Sequence, residues 1–291
     1  MDKEELYKKH YKKLFVIPII LLLLSIIFIY NFNNKHGDIV NKDISLKGGI
    51  TATVYVENVN TDELEVFLDS KFNDILIRRL SEFGSGKDIG FIIEAGDIDE
   101  KELRSVLEEK VGKISDENFS VEKTGSSLGK SFYKEMLKAV LFAFLLMAAV
   151  VFIAFRTFIP SMAVVSAALL DIIITLAIVD LIGVKISVAG IAAFMLLIGY
   201  SIDTDILLTT RMLKRKEGEL FDRMIGAIKT GLTMTAATMV ALSIAFIFSN
   251  SLILKQMFLI ILIGLLIDII STYFMNAGVL WWYCNRKVEN G

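Results

Sequence analysis

The chain has 291 residues, 54% of them apolar and 22% charged, with a mean hydropathy of +0.60 and a formal net charge of −2. So high an apolar share is more than a soluble domain of this length carries, which excludes an ordinary water-soluble protein and marks a membrane protein. A single cysteine, Cys284, excludes an intrachain disulfide framework and a cysteine-based metal site.

In chain order, residues 1–13 are polar and basic and read as a cytoplasmic N-terminus. The apolar stretch 14–30 comes next, close to the roughly 20 residues needed to cross the hydrocarbon core. Tyr30-Asn31-Phe32-Asn33 offers no small-x-small cleavage site, so this stretch is expected to stay as an anchor and not to be removed as a signal peptide.

Residues 31–136 read as a folded extracytoplasmic domain. From Asn31 to Phe132 there are 20 acidic and 13 basic residues, a net of −7, and such a surface does not suggest nucleic-acid binding. Ile50 to Glu57 alternates with β-branched residues as a half-buried strand. Thr61 followed by Asp62 and Glu63 is a capped helix start, and Leu64, Phe67, Leu68, Phe72, Ile75, Leu76 and Leu80 extend the helical spacing to about Phe83, before Gly84, Ser85 and Gly86. A second strand is expected over Ile89 to Ala95. Asp99 or Asp97 then caps a helix through Leu103, Val106, Leu107 and Val111, and Asn118 to Lys123 is a last strand. The order βαβαβ, which a further strand around Ile39 to Leu46 would extend, predicts a small α+β sandwich of ferredoxin-like kind. Gly48-Gly49 reads as a turn or bulge before the first strand.

Residues 137–283 hold five more apolar stretches, 137–155, 158–181, 186–210, 226–248 and 256–283, giving a multi-pass α-helical protein with six transmembrane helices. The last stretch is interrupted by Asp268 and Asn276 and ends in the interfacial cluster Trp281-Trp282-Tyr283, followed by a short C-terminus, 284–291. Lys and Arg in the short flanks are strongly asymmetric. Thirteen lie on one side (Lys3, Lys8, Lys9, Lys12, Lys13, Arg156, Arg211, Lys214, Arg215, Lys216, Arg223, Arg286 and Lys287), whereas the opposite short loops carry only Lys185 and Lys255. Both termini are therefore expected in the cytoplasm, with 31–136 outside.

Nothing resembles catalytic machinery. The chain has no metal-ligand spacing, no phosphate-binding glycine loop and no nucleophile set beside a base, and the only histidines, His10 and His36, are isolated. No enzymatic activity, cofactor or metal is expected. What stands out is polar residues inside the membrane: Asp171 in helix three, Asp203 and Asp205 in helix four, Lys229, Thr230, Thr233, Thr235 and Thr238 in helix five, and Asp268 in helix six. A charge in the hydrocarbon costs on the order of 3 kcal/mol, and carboxylates there commonly mark an ion or proton path, the plainer alternative being polar glue between helices. A spacing of two places Asp203 and Asp205 about 200° apart on their helix, so they cannot both face one partner. An ion pair from this helix to Lys229 is expected. Ala189, Ala193, Gly199, Gly226, Gly231, Ala236 and Ala237 would let helices four and five approach closely.

In five segments, taken in order, the sequence resembles the SecF proteins of the protein-export membrane machinery over nearly its whole length. They are Asp43 to Gly49 (DISLKGG), Gly125-Ser126-Ser127-Leu128-Gly129, Phe152 to Arg156, Leu170 to Leu176 around Asp171, and the motif Gly199-Tyr200-Ser201-Ile202 through Arg211. Bacterial members read Gly-Tyr-Ser-Ile-Asn-Asp-Thr where this chain has Asp203, Thr204 and Asp205. The family's proton-carrying aspartate thus falls on Thr204 and its functional arginine on Lys229. The resemblance implies an accessory subunit in the cell membrane, paired with SecD, that promotes passage of secreted polypeptides through the Sec translocation channel and is coupled to the proton or sodium gradient. Asp171, Asp203, Asp205, Lys229 and Asp268 are the coupling candidates. In the mechanism it implies, Asp203 or Asp205 takes up a proton, loosens Lys229 and lets helix four shift against helix five. The family also resembles half of a resistance-nodulation-division transporter, so a partner, SecD or a second copy, is expected. A lipid or small-solute transporter half and a passive scaffold are the rival readings.

Overall fold

The computed structural model describes residues 3–56, 59–72, 75–81, 88–96, 98–215, 218–249 and 251–289. It opens with α1 (Lys3–Leu14), a short break at Phe15, and α2 (Val16–His36). Pro18 accounts for the break: it has no N–H for the Leu14 carbonyl, and its ring crowds that carbonyl. The polar helix α1, which the sequence reading leaves unassigned, docks through Tyr7, whose ring meets Trp281 edge-on at 5.6 Å and Phe221 at 6.2 Å.

The small domain follows as α3 (Ile44–Lys47), β1 (Gly49–Val54), α4 (Thr61–Asp69), β2 (Ile75–Ser81), β3 (Asp88–Ala95), α5 (Glu100–Val111) and β4 (Phe119–Thr124). Its sheet is antiparallel throughout, in the order β2-β3-β1-β4, with Ile50 opposite Ala95 on one side and Lys123 on the other. Alternate residues Ile50, Ala52, Val54, Phe91 and Ile93 are buried against Leu64 and Leu68 of α4 and Leu103 and Leu107 of α5. That two-residue period is what a sheet with one helix-covered face requires.

Three local expectations are corrected here. The helix expected to run to about Phe83 stops at Asp69, and Ile75–Ser81 is a strand paired with β3. Its residues serve two periods: Ile75 and Ile77 are buried and Leu76 and Arg78 face the other way, and the open edge of β3 decides for the ladder. The strand expected around Ile39 to Leu46 is replaced by a single bridge, Lys42 to Ile186, and the one-turn helix α3, whose N-terminus is capped by the Asp43 side chain accepting from Ser45 N at 3.3 Å. Asn60, not Thr61, caps α4, while Asp99 caps α5; the alternative cap Asp97 and the stop Gly84, Ser85 and Gly86 lie outside the described residues.

The remaining helices are α6 (Ser126–Phe155), α7 (Phe158–Leu181), α8 (Val188–Leu213), α9 (Leu220–Phe248), α10 (Leu252–Ile270), a π-helical turn (Ser271–Asn276) and α11 (Ala277–Glu289). Among the described residues, six helical segments are long and apolar enough to cross a membrane, the first running through α1 and α2 and the last through α10, the π turn and α11. Half of α7 and of α8 is buried, whereas α2, α6 and α9 are mostly exposed, so the first pair forms the middle of the bundle.

The small domain sits at the end of the bundle that carries the α7–α8 connection: Asp43 N donates to Ile186 O at 3.0 Å and Asn41 N to Asp180 Oδ1 at 3.0 Å. Two of the quoted sequence segments meet there. A Cβ on Gly129 would lie 2.8 Å from the Gly48 nitrogen, and Gly48 has φ +87°, so the first turn of α6 rests directly on the α3–β1 corner.

Candidate functional site

Asp171 lies in the middle of α7, thirteen residues after Phe158 and ten before Leu181, or about 20 and 15 Å along the axis from the two ends. On α8 the buried residues Ile191, Phe194, Leu197, Ile198, Ser201, Thr204, Asp205, Leu208 and Met212 recur every three or four positions and form one inward stripe. Asp205 is on that stripe. Asp268 is near the end of α10, where the π turn widens the helix and carries Ser271, Thr272 and Asn276 into the same interior. All three carboxylates are fully buried.

They are joined through hydroxyl and amide donors, and the side chains of Asp171 and Asp268 are themselves neighbours. Asp171 accepts from Ser201 Oγ at 2.6 Å and from Ser271 Oγ. Asp268 accepts from Thr204 Oγ1 at 3.1 Å and from Thr272 Oγ1 at 3.1 Å. Asp205 Oδ1 accepts from Asn276 Nδ2 at 2.6 Å and from Thr272 Oγ1 at 2.8 Å. Asp205 Oδ2 and Asn276 Oδ1 are buried without a hydrogen-bond partner. Tyr273 closes the α9 side, its hydroxyl placed where only a glycine fits: a Cβ on Gly231 would come within 2.1 Å of it. Among the described residues no ion pair reaches Asp171, Asp205 or Asp268, and no group of three or more His, Cys, Asp and Glu is arranged to hold a metal ion.

The structure therefore unites Asp171, Asp205 and Asp268 and leaves out Asp203 and Lys229. Asp203 is exposed on the outer face of α8, beside Gly199 and Tyr200. Lys229 is exposed on α9, where Met224, Ala227, Gly231 and Thr235 make the inward stripe; two positions from Ala227 and from Gly231, it is turned about 200° away. Among the described residues the expected ion pair to Lys229 is thus absent: Lys229 and Asp203 face out of this chain, while Asp205 turns inward to Thr272 and Asn276. Arg211 is half-buried and lies against Gly226. Of the small residues expected between α8 and α9, Ala193 and Gly231 face inward while Gly199, Ala236 and Ala237 are exposed. Sequence reasoning missed Ser271 and Thr272, whose offsets of three and four from Asp268 were the available signal.

A family model described as "Protein export membrane protein SecD/SecF, C-terminal" matches residues 104–286. The protein-export membrane protein SecF of Pyrococcus furiosus is 35% identical over 277 residues, covering 95% of this chain and 92% of its own. The protein of the same name from Methanocaldococcus jannaschii is 36% identical over 283 residues, covering 94% of this chain and 96% of its own. Among solved structures, the crystal structure of SecDF, a translocon-associated membrane protein from Thermus thermophilus, superposes with a TM-score of 0.71 at 18% identity. It matches 96% of this chain, which spans 38% of the SecDF chain. Shared over nearly the full length with named relatives and carried through the helices that hold the three carboxylates, the similarity shows that this chain belongs to the SecD/SecF family of protein-export membrane proteins.

Proposed function

We propose that this chain is an accessory subunit of the Sec translocation apparatus that works with SecD to promote export of secreted polypeptides across the cytoplasmic membrane. The observation that carries the proposal is the similarity, over nearly the full length of both proteins, to relatives named as protein-export membrane proteins. In this reading the chain has no catalytic centre and needs no cofactor. The small domain, a βαββαβ sandwich of ferredoxin-like kind, lies outside the cell and both termini lie in the cytoplasm, an orientation supported by the asymmetry of Lys and Arg.

The buried cluster supports coupling to an ion gradient. A carboxylate left charged and unpaired in the interior costs several kcal/mol, and no cation side chain among the described residues compensates it. A proton or a sodium ion taken from one side of the membrane supplies that compensation. The drive is about 2.3 kcal/mol per charge per 100 mV, plus about 1.4 kcal/mol per pH unit for a proton, enough to bias a two-state packing of α8 against α10. Through α3 and the α6 corner such a shift reaches the small domain, which holds or releases an emerging polypeptide.

The outward charges point to the partner. Lys229, Thr233, Ala236 and Ala237 on α9, and Gly199, Tyr200 and Asp203 on α8, form a small and polar exposed surface at membrane depth, which suits a second helical bundle better than lipid. Purification of the chain in mild detergent tests this: a SecD protein from the same membranes is expected to accompany it. Recovery of the chain alone or only as a homodimer, with solute movement in vesicles lacking the Sec channel, would favour a transporter half instead.

A further inference from the structure

Where the small domain overhangs the bundle, a cleft of about 350 Å³ is lined by Leu76 and Arg78 of β2, Lys185 of the α7–α8 connection, Phe246 of α9, and Lys255 and Leu259 of α10. We propose that this cleft binds the phosphate group of an anionic membrane lipid, with the lipid's chains lying down the α9–α10 wall.

The short loops on this side of the bundle carry only two basic residues, Lys185 and Lys255, and both open onto this one cleft. Their proximity is built into the fold. Gln256 donates from Nε2 to the Lys185 carbonyl and accepts at Oε1 from Ser187 Oγ, so the α7–α8 connection is stitched to the first turn of α10. Lys255 is half-buried and makes no ion pair with any described residue. Arg78 is held from the other side by Glu94, at 3.5 Å.

Depth selects the occupant. Lys185 follows the end of α7 and Lys255 is in the first turn of α10, so both ammonium groups sit where the spanning helices leave the apolar layer. Phe246, two residues before the end of α9, and Leu259, one turn further along α10, are its apolar wall, and the neighbouring Ile247 and Phe248 are exposed. Cations above an apolar groove between spanning helices match a phosphate above acyl chains. An emerging acidic polypeptide shares the charge complementarity but has no use for the groove. A lipid held there by Arg78 and the two lysines would fasten the small domain to the bundle.

The test is native mass spectrometry of the full chain in mild detergent, with phosphatidylglycerol and phosphatidylcholine added at equal concentration. Preferential retention of one phosphatidylglycerol is expected, falling about tenfold or more in Lys185→Gln/Lys255→Gln and preserved in Lys185→Arg/Lys255→Arg and in the charge control Lys12→Gln/Lys13→Gln. Equal retention by the glutamine pair, or an equal loss in the charge control, would overturn the proposal. Displacement of the lipid by millimolar inorganic phosphate would show an anion site instead of a lipid site, and displacement by a stoichiometric acidic polypeptide would reassign the cleft to a protein ligand; either result contradicts it.

Discussion

Thr272 stands between two of the buried carboxylates, its hydroxyl 2.8 Å from Asp205 and 3.1 Å from Asp268. Thr272→Val keeps its shape and removes the one hydroxyl proton that these two acceptors share in a dry interior. A loss of about 1–3 kcal/mol is expected, read as a lower unfolding midpoint of the purified chain, with Thr272→Ser close to wild type. Lys229 is the contrasting case. Its charge faces away from this chain, so Lys229→Ala is expected to leave the unfolding midpoint unchanged and to reduce the SecD recovered with it, measured by quantitative co-purification. The sequence made Asp171, Asp205 and Asp268 legible as costly groups, and the two-residue spacing made plain that Asp203 and Asp205 diverge. It did not show which of those two turns inward, because that depends on which neighbours α8 packs against. Thr204, between those two aspartates, proves to be a donor to Asp268.

The helices of the bundle were readable from length and apolarity alone, β1 from its alternation, and β3 and β4 as the strands expected over Ile89 to Ala95 and Asn118 to Lys123. β2 was not, since Leu64 to Leu80 fits a helical period, and only the pairing of Ile77 with Ile93 settles its state. The π turn was equally hidden: it is a response of α10 to packing, with Ser271 and Thr272 reaching the cluster, and no residue type announces it. The corner between α3 and α6 gives a sharper test. Gly129→Ala gains helix propensity of up to about 1 kcal/mol, but its methyl would meet Leu46 and Gly48 backbone atoms at 3.0 Å or less, which cannot rotate away. A net destabilisation of about 1–2 kcal/mol is expected, measured by thermal unfolding of the purified chain; a stabilised variant would mean that α6 does not rest on this corner.

Taken whole, the molecule places an uncompensated acidic cluster at mid-depth, a soluble domain at one end, and an outward polar face on α8 and α9 that this chain does not cover. In the proposed role these parts are one half of a gradient-driven device, in which the cluster would take up the ion, the α3–α6 corner would transmit the shift, and the exposed face would receive the partner. The assignment of roles makes Asp205 indispensable and Asp203 dispensable for coupling, although they are two positions apart. The direct measurement is secretion into sealed membrane vesicles, with and without an imposed ion gradient, using Asp171→Asn, Asp205→Asn, Asp268→Asn and Asp203→Asn chains shown to retain SecD. The account predicts that the first three export at the gradient-free rate while Asp203→Asn keeps the full gradient response. Full gradient-driven export by Asp205→Asn or Asp268→Asn would contradict it.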